Sequence, residues 1–336
     1  MAVMFSKVPE YYASVFGELT YTMTGIESGT VADAEVYAAG EDTPLGVKRV
    51  AGGAAPTVNI ACYMRRRIAP VPFSGEHTGF FADAGRSVTA AVGCGGSMSP
   101  VRTFTGAVRR LSEYEVLTTL PLERSIAWEE SDEVSLLVPG CRMTYSWRAC
   151  GTEDYEYRSA EYVAKRGVVT LAVGMPSIRQ TLVAAGVNPD GISELRVTVR
   201  VAGESVAELR YGLRRRERDA VRLCWFNRMG GVDYHTFDRP TAGHLEAWRE
   251  VFRGRDGYTA SAVGLACRRE LSSGLLPRLW LEGLACIPAS PRVWRVEEDA
   301  FVAVDVFPLS HVFRNGEAGA ITFTVRDRRP LLSQNL

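Results

Sequence analysis

The sequence predicts a mainly β chain built as tandem antiparallel β-sandwiches with a few short helices. Three observations carry that expectation. The dominant hydrophobic period is two, as in "ELRVTVRVA" (194–202), where Leu195, Val197, Val199 and Val201 fall on one face and Arg196, Thr198 and Arg200 on the other. Strand-like runs outnumber helix-like ones, and the two do not alternate, which excludes doubly wound α/β folds. Turn formers collect between the runs, as in "GVNPDGIS" (186–193).

Taken in order, residues 1–117 form a first block. It contains "ELTYTMTGI" (18–26), "DAEVYAAG" (33–40), "GVKRVAG" (46–52), "TVNIACYM" (57–64) and "SVTAAVGC" (87–94), followed by the Gly/Ser-rich "GCGGSMSP" (93–100). Residues 118–231 hold the best-defined strands: "VSLLV" (134–138), "MTYSWRA" (143–149), "GVVTLAV" (167–173), the alternating run above, "SVAELRYGL" (205–213) and "AVRLCWF" (220–226). Residues 232–336 contain "VDYHTF" (232–237), "FVAVDVFPL" (301–309) and "AITFTVRDR" (320–328). Three segments carry helical spacing. "PSIRQTLVAAG" (176–186) starts on Pro176 and stops on Gly186. "AGHLEAWREVF" (242–252) sets Leu245, Trp248 and Phe252 in line, and "GLLPRLWLEGLA" (274–285) does the same for Leu276, Trp280 and Leu284. Immunoglobulin- or fibronectin-like sandwiches that touch, without a low-complexity linker, are the expected architecture.

Composition narrows the function classes. The 336 residues carry 39 cationic and 39 acidic side chains, so the net charge is zero. That argues against a general nucleic-acid binder, which displaces counterions with a basic excess. Only Lys7, Lys48 and Lys165 are lysines, a bias that genome composition explains. The first twenty residues lack an unbroken apolar core, because Lys7, Pro9 and Glu10 interrupt them. No run of ~18 apolar residues occurs, so no membrane span and no membrane partner are expected. Seven scattered cysteines, at 62, 94, 141, 150, 224, 267 and 286, make a poor disulfide framework. Buried thiols in a reducing compartment are expected for most of them.

The chemical motifs are weak. "GCGGSM" lacks the Lys-Ser/Thr of a phosphate loop. Asp233 and His235 share a strand face and form the best acid–base or metal pair, but no third ligand is visible, and a wet strand face accounts for both. His77, His244 and His311 complete the histidines. The acidic clusters Glu129, Glu130, Asp132, Glu133 and Glu153, Asp154, Glu156 read as solvated loops rather than glycosidase pairs. The runs "RRR" (65–67) and "RRRER" (214–218) read as solvated ends of strands. No catalytic residue, metal or cofactor is expected.

The densest stretch is "CWFNRMGGVDYHTF" (224–237). Gly230 and Gly231 can take backbone conformations closed to other residues, and a short glycine-bearing connection suits a hairpin or a turn between sheets. Trp225, Phe226, Tyr234 and Phe237 would fill the seam where one strand series hands over to the next. Trp280 and Trp294 are further interface candidates. An aromatic ligand platform is the alternative.

"RLCWFNRMGGVDYHTF" resembles a Trp–Asn–Arg–Gly–Gly–aromatic–Thr–Phe pattern in uncharacterised proteins of Bacteroidetes phages and prophages, with a similar later stretch, here "SSGLLPRLWLEGLACIPASPRVWRV" (272–296). The likeness covers about residues 190–336, and more weakly the first block, as in "VNIACYMRRRIAP". Val232 stands where the pattern carries a second aromatic. The resemblance implies a β-rich virion- or tail-associated structural protein, made in the bacterial cytoplasm and resident in the particle. Its partners would be other virion or tail proteins and copies of itself. A carbohydrate-binding or adhesin-like sandwich is the alternative function, and a hydrolase with dispersed acids the third.

Overall fold

The computed structural model describes the chain apart from residues 1, 74–76, 83–84, 239, 256, 298–299, 308–317, 329–331 and 336. His311 therefore lies outside the described residues. The chain is mainly β, in several largely antiparallel sheets, with three α-helices among the described residues.

The first block builds two sheets over one core. Thr20–Thr24 pairs with Met4–Lys7 and Thr57–Asn59. Ser87–Cys94 pairs with Val31–Ala38, Ser97–Met98 and Arg102–Thr105, and Gly46–Ala51 extends the sheet. Leu19, Tyr21, Met23, Val36, Met64, Val92 and Phe104 are buried between them. The expected strand over 57–64 is half right. Thr57–Asn59 is extended, but Ala61–Arg67 is a helix. Asn59 makes the switch, because its Oδ1 accepts from the amides of Ala61 (2.9 Å) and Leu19 (3.2 Å). The run 65–67 thus ends a helix, where cations complement the free carbonyls.

In the second block, Ser131–Val138, Gly167–Gly174 and Gly79–Ala82 form one sheet. The other runs Glu123–Ile126, Glu204–Leu213, Ile192–Val201, Cys141–Gly151 and Tyr155–Arg158, with Tyr162–Ala164 also on Cys141–Gly151. Leu136, Val138, Leu171 and Val173 meet Trp147, Val197, Leu209 and Tyr211 in the shared core. All eight residues of Gly167–Gly174 are buried, since Val168 turns to a smaller cluster with Tyr12, Leu111, Leu117 and Leu137. A strand covered on both faces writes a continuous apolar run. The helix at 176–186 is Met175–Ala184, burying Ile178 and Leu182.

The third unit is an eight-stranded sheet, from Val232–Phe237 through Val221–Phe226, Val293–Val296, Phe301–Val306, Thr322–Asp327 and Gly257–Ser272 to Pro240–Gly254, with Leu332–Asn335 also on Gly257–Ser272. Helix Arg278–Leu284 buries Leu281 and Leu284 against it. The helix expected over 242–252 is instead strand Pro240–Gly254, half of a long ribbon with Gly257–Ser272. Period two puts Leu245 and Val251 on one face and Trp248 and Phe252 on the other. Neither face is sealed, so no alternation marks the sequence as strand.

The blocks interlock. Gly79–Ala82 completes a sheet of the second block, and the strands either side of residue 231 form one hairpin.

Candidate functional site

The hairpin is built from its turn outward. Asn227 Oδ1 accepts from the amides of Met229 (2.8 Å) and Gly231 (3.2 Å), and its Nδ2 donates to the Leu117 carbonyl at 3.0 Å. The two glycines serve different ends. Gly230 has φ +85°, a region that costs an L residue strain. Gly231 lacks space instead, since a Cβ there would lie 2.0 Å from the Leu117 carbonyl oxygen.

Beyond the turn the strands are buried on both faces. Cys224, Phe226, Val232 and Tyr234 enter the first core, and Trp294 packs against it from the neighbouring strand. Val221, Leu223, Trp225 and Phe237 enter the third, with Leu120, Leu281 and Leu284. Phe237 meets Phe323 edge-on at 5.2 Å. Trp225 is wholly buried, and its indole N–H has no acceptor among the described residues.

Around this hairpin lies a buried ion network in which four carboxylates face four guanidiniums. Glu133 takes Arg86 at 2.5 Å, the Phe73 amide at 2.9 Å and the Tyr234 hydroxyl at 3.4 Å. Asp132 takes Arg124 at 2.7 Å and the Tyr211 hydroxyl at 3.1 Å. Asp233 accepts from the Thr118 hydroxyl and from the amide (2.9 Å) and hydroxyl (2.7 Å) of Thr119, with Arg124 at 3.7 Å. Glu130 takes the Thr236 hydroxyl at 2.8 Å, the Ala127 amide at 3.0 Å, Arg222 at 3.4 Å and Arg214 at 3.7 Å. Ser131–Val138, from the second block, is thereby tied to Val221–Phe226 and Val232–Phe237.

The electrostatics follow from burial and pairing. Burial alone would raise the Glu130 carboxyl, but Arg222, then the Ala127 amide, Arg214 and Thr236 outweigh it and hold it below its ordinary value. Burial would lower the Arg124 guanidinium, yet Asp132, Tyr211 and Asp233 keep it above the usual arginine value. Burial pushes up the Tyr211 and Tyr234 hydroxyls, with Asp132 and Glu133 adding to it respectively. The Cys224 thiol is also pushed up, by burial first. His235 leans on Phe237 (4.7 Å) and Trp280 (5.5 Å). Burial first, then Arg222 and Arg214, lower its imidazole to about 3, so it is neutral at physiological pH.

Three expectations change. Glu130, Asp132 and Glu133 are buried, and only Glu129 of that cluster is exposed. Arg86 and Arg222, far off in sequence, and Arg124, eight residues before Asp132, match their charges, and no local pattern reveals these pairings. Asp233 is fully buried and His235 half-buried, so neither sits on a wet face. All seven cysteines are free thiols, but only Cys94 and Cys224 are buried, while Cys62 is exposed. The cluster Glu153, Asp154 and Glu156 is exposed.

Sequence reasoning missed Arg86, Arg124 and Arg222 as partners. A usable signal existed: Asp132 and Glu133 open a strand that continues as the mostly apolar "VSLLV" (134–138), buried on both faces, where an unpaired charge would be costly. Chemically the carboxylates are saturated, each already accepting several donors. Among the described residues no three His, Cys, Asp or Glu side chains are grouped to hold a metal ion. The arrangement acts as a clamp joining three cores. Comparison of the chain with protein-family models and with curated proteins finds no match in either.

Proposed function

We propose that the chain is a structural or assembly subunit of a phage or phage-tail-like particle, acting through protein–protein surfaces toward copies of itself and other particle proteins. On this reading its stacked sheets are tandem immunoglobulin- or fibronectin-like sandwiches. The observation that carries it is the ribbon Pro240–Gly254/Gly257–Ser272. Tyr258 is 77% exposed, Leu245 70%, Val251 and Phe252 53%, and Trp248 41%. Apolar side chains gathered on one projecting element mark an interaction surface. Trp248 lies across Gly264, where a Cβ would fall 2.0 Å from its ring, so the strand is shaped to present that indole. Pro240–Gly254 is also an edge strand, pairing only with Gly257–Ser272 among the described residues. An open edge is a template for adding a strand from another chain, and Glu246, Arg249, Glu250 and Arg253 along it limit indiscriminate pairing.

The test is light scattering and electron microscopy of the purified chain, beside a Leu245→Ser/Phe252→Ser/Tyr258→Ser variant. Closed oligomers that the variant fails to form, while melting like wild type, support the proposal. A chain that stays monomeric to about 100 μM, well above the Kd of an ordinary stable assembly, overturns self-assembly. Monomers that bind a glycan array and lose it on Trp248→Ala would establish the carbohydrate-binding alternative.

A further inference from the structure

At one end of the third core the apolar face of the sheet gives way to arginine. Arg269 stands opposite Val325, and Arg295 opposite Leu223. Directly opposed residues share a face, so both arginines lie on the side that carries the buried Val325 and Leu223. The connection leaving Glu204–Leu213 crosses this end and brings Arg216. Arg216, Arg269 and Arg295, with Ala220, Val221, Val296 and Glu297, line a solvent-open pocket of about 200 Å³.

The three guanidiniums are not equivalent. Arg295 is clamped, with Nε and Nη2 donating to both oxygens of Asp327 (3.2 and 2.8 Å) and Nη1 to Glu297. It is a rigid wall whose charge is already met. Arg216 and Arg269 are half-buried, and neither has an ion pair or side-chain hydrogen bond among the described residues. A long side chain closing the end of a core explains Arg295. It does not explain two further arginines converging on the same pocket, whose one lining carboxylate, Glu297, is paired with Arg295, because like charges brought together cost free energy that a bound anion would recover.

We propose that this pocket binds a single small oxyanion, a phosphate group or its monoester, with Arg216 and Arg269 as ligands and Arg295 as the fixed wall. Guanidinium forks match tetrahedral oxyanions through paired N–H donors. The surroundings select against a polyanion. Glu217 and Asp219 stand exposed on the same connection, between the lining residues Arg216 and Ala220, and Glu297 is on the wall. A nucleic-acid backbone needs an extended basic track, whereas this site is one positive spot rimmed with acid. The pocket is independent of the assembly reading and stands or falls without it.

The probe is inorganic phosphate, titrated calorimetrically into the full chain at constant ionic strength, with glycerol phosphate and a single-stranded oligonucleotide in parallel. Saturable binding of phosphate and glycerol phosphate is expected. Arg216→Gln and Arg269→Gln should each weaken it about tenfold, the usual effect of losing one charge-assisted contact. Melting curves of both variants show that each is folded. Absence of saturable binding below about 10 mM, a range still within reach of weak affinities, overturns the proposal. So does phosphate affinity that neither variant changes, or an oligonucleotide that binds more tightly than phosphate and loses affinity in both variants.

Discussion

Gly230 and Gly231 look interchangeable in sequence but are held by different forces. Gly230 is required by backbone conformation, with φ at +85°. Gly231 is required by space against a backbone carbonyl that Asn227 Nδ2 also holds in place. Gly230→Ala sets its methyl group in a tight but not overlapping contact, 3.0 Å from the Ala107 amide nitrogen, which the 106–107 backbone must ease by a few tenths of an ångström. It should cost about 1–2 kcal/mol through its left-handed conformation. Gly231→Ala drives a Cβ into the Leu117 carbonyl and must move one of two chain segments, which puts it at about 3 kcal/mol or more. Urea denaturation of the two variants checks the order, and equal losses would show that the Leu117 segment yields freely.

For strands and hairpins, the clamp is the feature to test. Arg124 lies between Asp132 of Ser131–Val138 and Asp233 of Val232–Phe237. Removing it leaves two buried carboxylates facing each other, so Arg124→Met should cost ~3–5 kcal/mol. Adding Asp132→Asn removes one of those charges while keeping an acceptor for the Tyr211 hydroxyl, and should recover about 1–2 kcal/mol. A double variant no more stable than Arg124→Met, in the same denaturation assay, would mean that the charges are not coupled. The same elements show what was legible in the sequence. Ile192–Val201 was legible because one of its faces is sealed and the other is not, so its alternation is written in full. The turn at 227–231 was legible from its glycines and from the rings beside it. Pro240–Gly254 was not, because an exposed ribbon has no buried face to impose a period on its side chains, and Leu245, Trp248 and Phe252 happen to fall at helical spacing. The clamp was not legible either. Glu130, Asp132 and Glu133 are clustered in sequence, but Asp233 comes from another strand, and Arg86, Arg124 and Arg222 reach the acids from three separate strands or loops. Sequence neighbours carry no record of such pairing.

Across the whole molecule, three cores meet at one hairpin, and that geometry couples their stabilities. Cys224 and Tyr234 belong to the first core, Trp225 and Phe237 to the third, and Glu130 carries the link to the second. Two groups at this junction bind protons less readily in the folded chain than in the unfolded one. The His235 imidazole is lowered from 6.5 to about 3, and the Glu130 carboxyl is held below its ordinary 4.5. A depressed folded pKa means that the unfolded chain takes up the extra proton, so stability rises with pH through the window between the two values. The His235 contribution is therefore complete above about pH 6.5 and is lost progressively toward pH 3. That of Glu130 begins to fall only below about pH 4.5. Between pH 7 and pH 5 His235 alone should cost the fold about 1–2 kcal/mol, allowing for its partial exposure. Because this loss is placed at the shared seam, calorimetry should show one unfolding transition moving down as a whole on acidification, and His235→Gln should flatten its movement between pH 6.5 and 5. Separate transitions for the three cores, or an unchanged pH slope in the His235 variant, would show that the seam does not couple them.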